Sequence, residues 1–144
     1  MLIESFTPVL FRSDGPKTEA DIQAIAAKGI RLVIDLENEE GEGPWEKSLA
    51  SKYGITVIWI SLSGFFSPSK ADVQKILNYL VQAFSTGQKL LLHCLHGQDR
   101  TGLIVGLFRI RYQGWPKLQA WNEMVEHGFH FFLLGLTFFF WCEG

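Results

Sequence analysis

The stretch Leu90-Leu91-Leu92-His93-Cys94-Leu95-His96-Gly97-Gln98-Asp99-Arg100-Thr101-Gly102 decides how this chain is read. Three apolar residues lead in, and a periodic apolar segment leads out. Between them lies a short glycine-containing loop. The pattern predicts strand, tight loop, helix. Such a loop can turn its backbone N–H groups toward an anion, and the helix N-terminus adds positive potential. That field favours a thiolate over a thiol, so Cys94 is the candidate nucleophile. Arg100, five loop residues later, offers a planar fork that can bind two oxygens of one phosphoryl group.

Working outward, strands alternate with helices. Thr18 and Asp21 predict a helix start, with Ile22, Ile25 and Ala26 buried and Gly29 as the stop. Arg31 to Leu36 and Ile55 to Leu62 read as buried strands. Glu37 to Gly43 is an acidic loop, followed by a helix over Pro44 to Tyr53. Val73, Ile76, Leu77, Leu80, Val81 and Phe84 recur at helical spacing before Gly87. Further helices are expected over Thr101 to Tyr112 and from Pro116 to Gly128, the latter with Leu118, Trp121, Met124 and Val125 inward. The expected fold class is α/β: a small, mainly parallel central sheet flanked by helices, in one domain over residues 1–144. Ligands in such sheets bind beyond the carboxyl ends of the strands, where Cys94 falls.

Composition limits the function classes. Hydrophobic residues make up 47% and charged ones 19%, a globular balance. The net charge of −2 supplies no bulk basic field, so nucleic acid is not an expected partner. Two cysteines are too few for a disulfide framework, and one sits where a free thiol is wanted. Met1 to Val9 does not read as a signal peptide, so a cytoplasmic setting is expected. The apolar tail Phe131 to Cys142 is too short to span a membrane. It reads as a buried terminal helix with Cys142 inside, or alternatively as an exposed aromatic patch.

The segment His93 to Gly102 resembles the signature of the cysteine-dependent protein tyrosine phosphatase superfamily. Leu10-Phe11-Arg12-Ser13, Gly29 to Leu36 and Ala120-Trp121-Asn122-Glu123-Met124 are similar to the flanks of small dual-specificity-type phosphatases. The resemblance implies a dual-specificity phosphatase-like fold and a two-step reaction through a cysteinyl-phosphate at Cys94. The backbone N–H groups of Leu95, His96, Gly97, Gln98, Asp99 and Arg100, with the Arg100 side chain, would bind the phosphate. Thr101 would donate its hydroxyl to the Cys94 sulfur, and Gly102 would permit close helix packing. His93 would orient the loop from behind. The family uses no metal or other cofactor, and the sequence shows no metal-ligand cluster.

The chain departs from the family in its general acid. Relatives place an aspartate on the loop after the second strand. Here that loop, Ser61 to Ser69, carries no acid. Asp99 is the favoured substitute, in an Asp-Arg-Thr order similar to myotubularins. Its alternative role is to hold the loop by backbone hydrogen bonds. Asp72 reads as a helix-start charge. Asp35 and Glu37 end the first strand and can line the mouth, although Glu37, Glu39, Glu40 and Glu42 are expected to point away from a polyphosphate. His96 either binds a second phosphate or is a solvated rim residue. Arg12 either contacts phosphate or makes a salt bridge. Lys70 and Lys75 either form a polyanion rim or lie on the solvated surface.

The expected partner is thus a phosphorylated small molecule, with inositol polyphosphate favoured, or a phosphoprotein carrying phosphotyrosine. A binding module that holds phosphorylated ligands without turnover, and a rhodanese-like sulfur carrier, are the competing classes. Retention of both Cys94 and Arg100, and the Arg-Thr-Gly continuation, weigh against them.

Overall fold

The computed structural model describes residues 1–38 and 42–144. In chain order the elements are β1 (Glu4–Ser5), β2 (Leu10–Ser13), α1 (Glu19–Ala27), β3 (Leu32–Asp35), α2 (Glu42–Ser51), β4 (Thr56–Trp59), α3 (Lys70–Thr86), β5 (Leu90–His93), α4 (Arg100–Gln113), α5 (Lys117–Glu126) and α6 (Leu134–Glu143). The sheet order is β1-β2-β5-β3-β4, parallel throughout except for the β1–β2 pair. This is the expected α/β fold with a mainly parallel sheet covered on both faces. Neither the two-residue β1 nor β2, over Leu10–Ser13, was anticipated as a strand.

Strand β5 is central, paired with β2 and β3, and its four residues are buried. An unbroken apolar run is what a strand covered on both faces requires. Its side chains divide with the period of two expected of a strand. Leu90 and Leu92 join one core with α3, α4, α5 and α6. Leu91 joins the other with Ile22 and Ile25 of α1 and Ala50 of α2. The register sets Ser13 and Asp35 on either side of His93, so three strand ends converge beneath the loop that follows β5.

Local signals explain the helix boundaries. Thr18 and Asp21 form the anticipated capping box of α1. Ser69 caps α3 by accepting from the Asp72 backbone N–H. Helix α4 is buried from Arg100 to Phe108, so it is a core helix rather than an amphipathic one. Helix α5 meets the expectation in part, with Trp121 half-buried against the core. Ala120 and Met124 are buried, whereas Leu118 and Val125 are exposed. Met124 packs closely on Gly106 of α4, where a Cβ would stand 2.7 Å from its Sδ. Gly102, to which close packing was assigned, has its nearest neighbours at ordinary contact distance.

The tail is a helix, but only one side is covered. Leu136, Phe139 and Phe140 are buried, while Phe131, Phe132, Leu134 and Phe138 are exposed. Cys142 is exposed, contrary to the buried cysteine expected. No described helix is long and apolar enough to cross a membrane.

Candidate active site

Cys94 follows the last residue of β5 and is almost completely buried. Arg100 is the first residue of α4, so the intervening loop sits on that helix's N-terminus. The loop is fixed from several sides. Gly15 N–H donates to Leu95 O at 3.1 Å, and Leu36 N–H to His93 O at 2.9 Å. Arg12, buried on β2, donates from Nη2 to Gly97 O at 2.9 Å. Arg12 therefore holds the loop, a role the sequence did not suggest. Gly97 has φ +72°, and a Cβ there would lie 2.7 Å from the Ser13 carbonyl carbon. Both its backbone conformation and its close approach to β2 require glycine.

Arg100 is oriented by donating from Nη1 to Asn38 Oδ1 at 2.7 Å and to Leu62 O at 3.2 Å. Its guanidinium is thus aimed before any ligand arrives, which lowers the ordering cost of binding. Thr101 is fully buried, but its hydroxyl has no hydrogen-bond partner among the described residues. The anticipated bond from Thr101 to Cys94 sulfur is not formed.

A cavity of about 300 Å³ opens over this arrangement. Cys94, Leu95, His96, Asp99 and Arg100 line it together with Asn38, Phe65, His130, Phe132 and Leu133. Gly97 and Gln98 instead border a neighbouring cavity of about 410 Å³ beside Arg12. Gln98 lies against the backbone of Gly128, where a Cβ would meet its Nε2 at 2.7 Å. His96 is exposed at the rim, between the two cavities. Lys70 pairs with Glu143 at 3.1 Å, and Lys75 borders a separate depression on α3; neither lines the catalytic cavity.

Asp99 faces His130, which the sequence reading did not single out. Asp99 Oδ1 accepts the His130 backbone N–H at 2.7 Å, and both its oxygens lie 3.0 Å from His130 Nδ1. Asp72 sits half-buried in the first turn of α3, where a helix-start charge belongs.

His93 anchors a buried ionisable cluster behind the nucleophile. Its Nε2 lies 2.6 Å from Glu46 Oε1, and its Nδ1 lies 3.4 Å from Glu37 Oε1 and 3.9 Å from Asp35 Oδ1. Asp35 and Glu37, expected as candidates for the mouth, are buried here instead. Glu39 and Glu40 lie outside the described residues, as does the side chain of Glu42. Burial pushes the Asp35 carboxyl up to about 8, helped by Glu46 and opposed by His93. Burial would push His93 down, but the adjacent Glu37 and Glu46 carboxylates outweigh it and hold the imidazole well above its ordinary value. Donor atoms of Asp35, Glu46 and His93 lie within 4.8 Å of one another, a set able to hold a cation that sequence alone did not bring together. The 2.6 Å contact to Glu46 is itself a charge-assisted hydrogen bond, which satisfies His93 Nε2 without one.

Known proteins resemble the chain in sequence and in fold. A family model described as "Polymorphic toxin system, DSP-PTPase phosphatase" matches residues 12–113. The dual specificity protein phosphatase TpbA of Pseudomonas aeruginosa is 44% identical over 59 residues, which is 41% of this chain and 27% of TpbA. A tyrosine-protein phosphatase of Nostoc commune is 30% identical over 129 residues, covering 73% of this chain and 42% of that protein. The chain therefore spans less than half the length of these curated relatives. The crystal structure of TpbA superposes with a TM-score of 0.78 at 23% identity, covering 96% of this chain and 82% of that one. TpbA in complex with pTyr gives 0.71 at 22% identity, covering 88% and 75%. The core catalytic domain of the PP-IP phosphatase SIW14 from S. cerevisiae gives 0.76 at 20% identity, covering 88% and 76%. At these identities the structural likeness is one of fold.

Proposed function

This chain belongs to the family described as "Polymorphic toxin system, DSP-PTPase phosphatase", and on that premise we propose that it is a cysteine-dependent phosphomonoesterase acting on an aryl phosphate of the phosphotyrosine kind. In the first step Cys94 sulfur forms a bond to phosphorus as the bond to the leaving oxygen breaks. In the second, water displaces the sulfur and releases inorganic phosphate. The loop N–H groups of residues 95–100 and the Arg100 guanidinium stabilise the equatorial oxygens through both steps. Asp99 belongs to the leaving-group side of the cavity. The proposed setting is a reducing compartment such as the cytoplasm, where Cys94 stays a thiol.

The observation that carries the substrate reading is the cavity wall. Cys94 and Arg100 share it with Phe65, Phe132 and Leu133, side chains suited to an aromatic ring rather than to a dense anion. TpbA crystallised with pTyr supports the same choice. Inositol polyphosphate is the second reading, supported by the acid-free 61–69 loop and by the fold likeness to SIW14. Several phosphates on one ring call for several cations, and among the described residues lining the cavity Arg100 is the one lysine or arginine.

The test is phosphate release from a phosphotyrosine peptide, a phosphoserine peptide and inositol hexakisphosphate, with Cys94→Ser as the blank. Preference for the phosphotyrosine peptide, lost in the variant, is expected. Faster Cys94-dependent release from inositol hexakisphosphate would reverse the order of the two readings. No Cys94-dependent release from any of the three would favour a binding module.

A further inference from the structure

We propose that His130, held by Asp99, is the group that protonates the leaving oxygen and then deprotonates the attacking water; the inference rests on the phosphatase reading above. The 61–69 loop that carries an acid in related enzymes has none here, and among the described residues lining the catalytic cavity Asp99 is the only carboxylic one. Its two oxygens are already engaged by one partner. Oδ1 accepts the His130 backbone N–H, and both oxygens face Nδ1 at 3.0 Å. A carboxylate placed this way fixes the ring and its tautomer, with a proton on Nδ1.

The arrangement leaves Nε2, across the ring, without a hydrogen bond among the described residues, on a side chain that lines the same cavity as Cys94 and Arg100. Phe132 packs against the ring with centroids 5.3 Å apart, which further restricts its orientation. His96 also borders the cavity, but no partner among the described residues orients it.

The balance is simple. As sulfur bonds to phosphorus and the P–O ester bond breaks, the Nε2 proton passes to the departing oxygen, leaving a neutral ring with its proton on Nδ1. In the second step Nε2 takes a proton from water as the water oxygen bonds to phosphorus and the P–S bond breaks. Sulfur leaves as thiolate, phosphate is released and the imidazolium is restored. The same group acts as acid and then as base, as reversing the direction of transfer requires.

General acid catalysis matters most when the leaving group is poor, and its loss typically costs 10²–10⁴-fold. The experiment compares phenyl phosphate, a poor leaving group, with 2,4-dinitrophenyl phosphate, a good one, in wild type, His130→Asn, Asp99→Asn and Cys94→Ser. Thermal melts check that each variant folds. In His130→Asn, turnover of phenyl phosphate should fall about 100-fold or more, and at least ~10-fold further than that of the dinitrophenyl ester. An equal loss on both esters, or no loss, overturns the proposal. A selective loss in Asp99→Asn with none in His130→Asn also overturns it and makes Asp99 the donor. If wild type shows no Cys94-dependent release from either ester, the phosphatase reading itself fails and takes this one with it.

Discussion

Asp99 accepts two hydrogen bonds from a single residue, His130: one from its backbone N–H at 2.7 Å and one from Nδ1 at 3.0 Å. Residues 31 apart in sequence thus meet at the edge of the catalytic cavity. Two side chains that act as one unit give non-additive effects when removed. The Asp99→Asn/His130→Asn double variant should therefore lose no more activity on phenyl phosphate than His130→Asn alone, within about threefold. Losses that multiply would show the two residues act independently.

Gly97 should not tolerate a side chain. Alanine would need a left-handed backbone costing about 1–3 kcal/mol, and its Cβ would lie 2.7 Å from the Ser13 carbonyl and 2.8 Å from Asp14 N. These are backbone atoms, so the phosphate loop itself must shift. Gly97→Ala should be measurably less stable to urea and lose at least ~10-fold in phosphate release, in line with the cost of misplacing reacting groups. Unchanged kinetics in a folded Gly97→Ala protein would contradict this account of the loop.

Arg100→Lys keeps the charge and removes the fork. Lysine cannot both hold Asn38 and present two parallel donors to phosphate. Removing one such donor from a transition-state cradle typically costs about 10²–10³-fold in kcat. Steady-state kinetics on an aryl phosphate will decide it; a loss below ~10-fold would show that Arg100 acts mainly as a point charge.

The buried cluster behind Cys94 should make stability fall as pH rises. Asp35 is raised to about 8, so the folded protein keeps a proton that the unfolded chain releases near pH ~4. That contribution is full at acid pH and is lost progressively up to about pH 8. His93, also raised, acts in the same direction: its contribution is full below about pH 6.5 and lost as pH climbs through its folded value. Asp21, lowered by the N–H groups of Lys17 and Thr18, acts oppositely but only at acid pH. Asp35→Asn should flatten the decline in Tm between about pH 5 and 8. An identical slope in the variant would show that Asp35 does not carry the proton.

Part of this was legible in the sequence and part was not, for identifiable reasons. The β5–loop–α4 unit was readable because Leu90 to Leu92 form a continuous apolar run and Cys94 to Arg100 is a local motif. Capping of α1 was readable because Thr18 and Asp21 are three residues apart. Strands β1 and β2 escaped because two and four residues are too few to carry a periodic signal. On α5 Trp121 and Met124 face the core as read, whereas Leu118 and Val125 lie on the solvent side, because hydropathy alone does not orient a short helix. Contacts between distant segments, such as His93 with Glu46, Arg100 with Asn38 and Arg12 with Gly97, leave no local trace. The half-covered α6 defeated a reading of the tail as wholly buried or wholly exposed, and Cys142 followed the exposed side.

The central claim is that phosphate passes through Cys94. The most direct measurement is rapid acid quench of the protein during turnover of an aryl phosphate, followed by peptide mass analysis. The account predicts a phosphoryl group on the peptide containing Cys94, absent from Cys94→Ser and retained longer in His130→Asn, where hydrolysis of the intermediate is slowed. Turnover of the same ester with no phosphoryl group on Cys94 in either wild type or His130→Asn would contradict it.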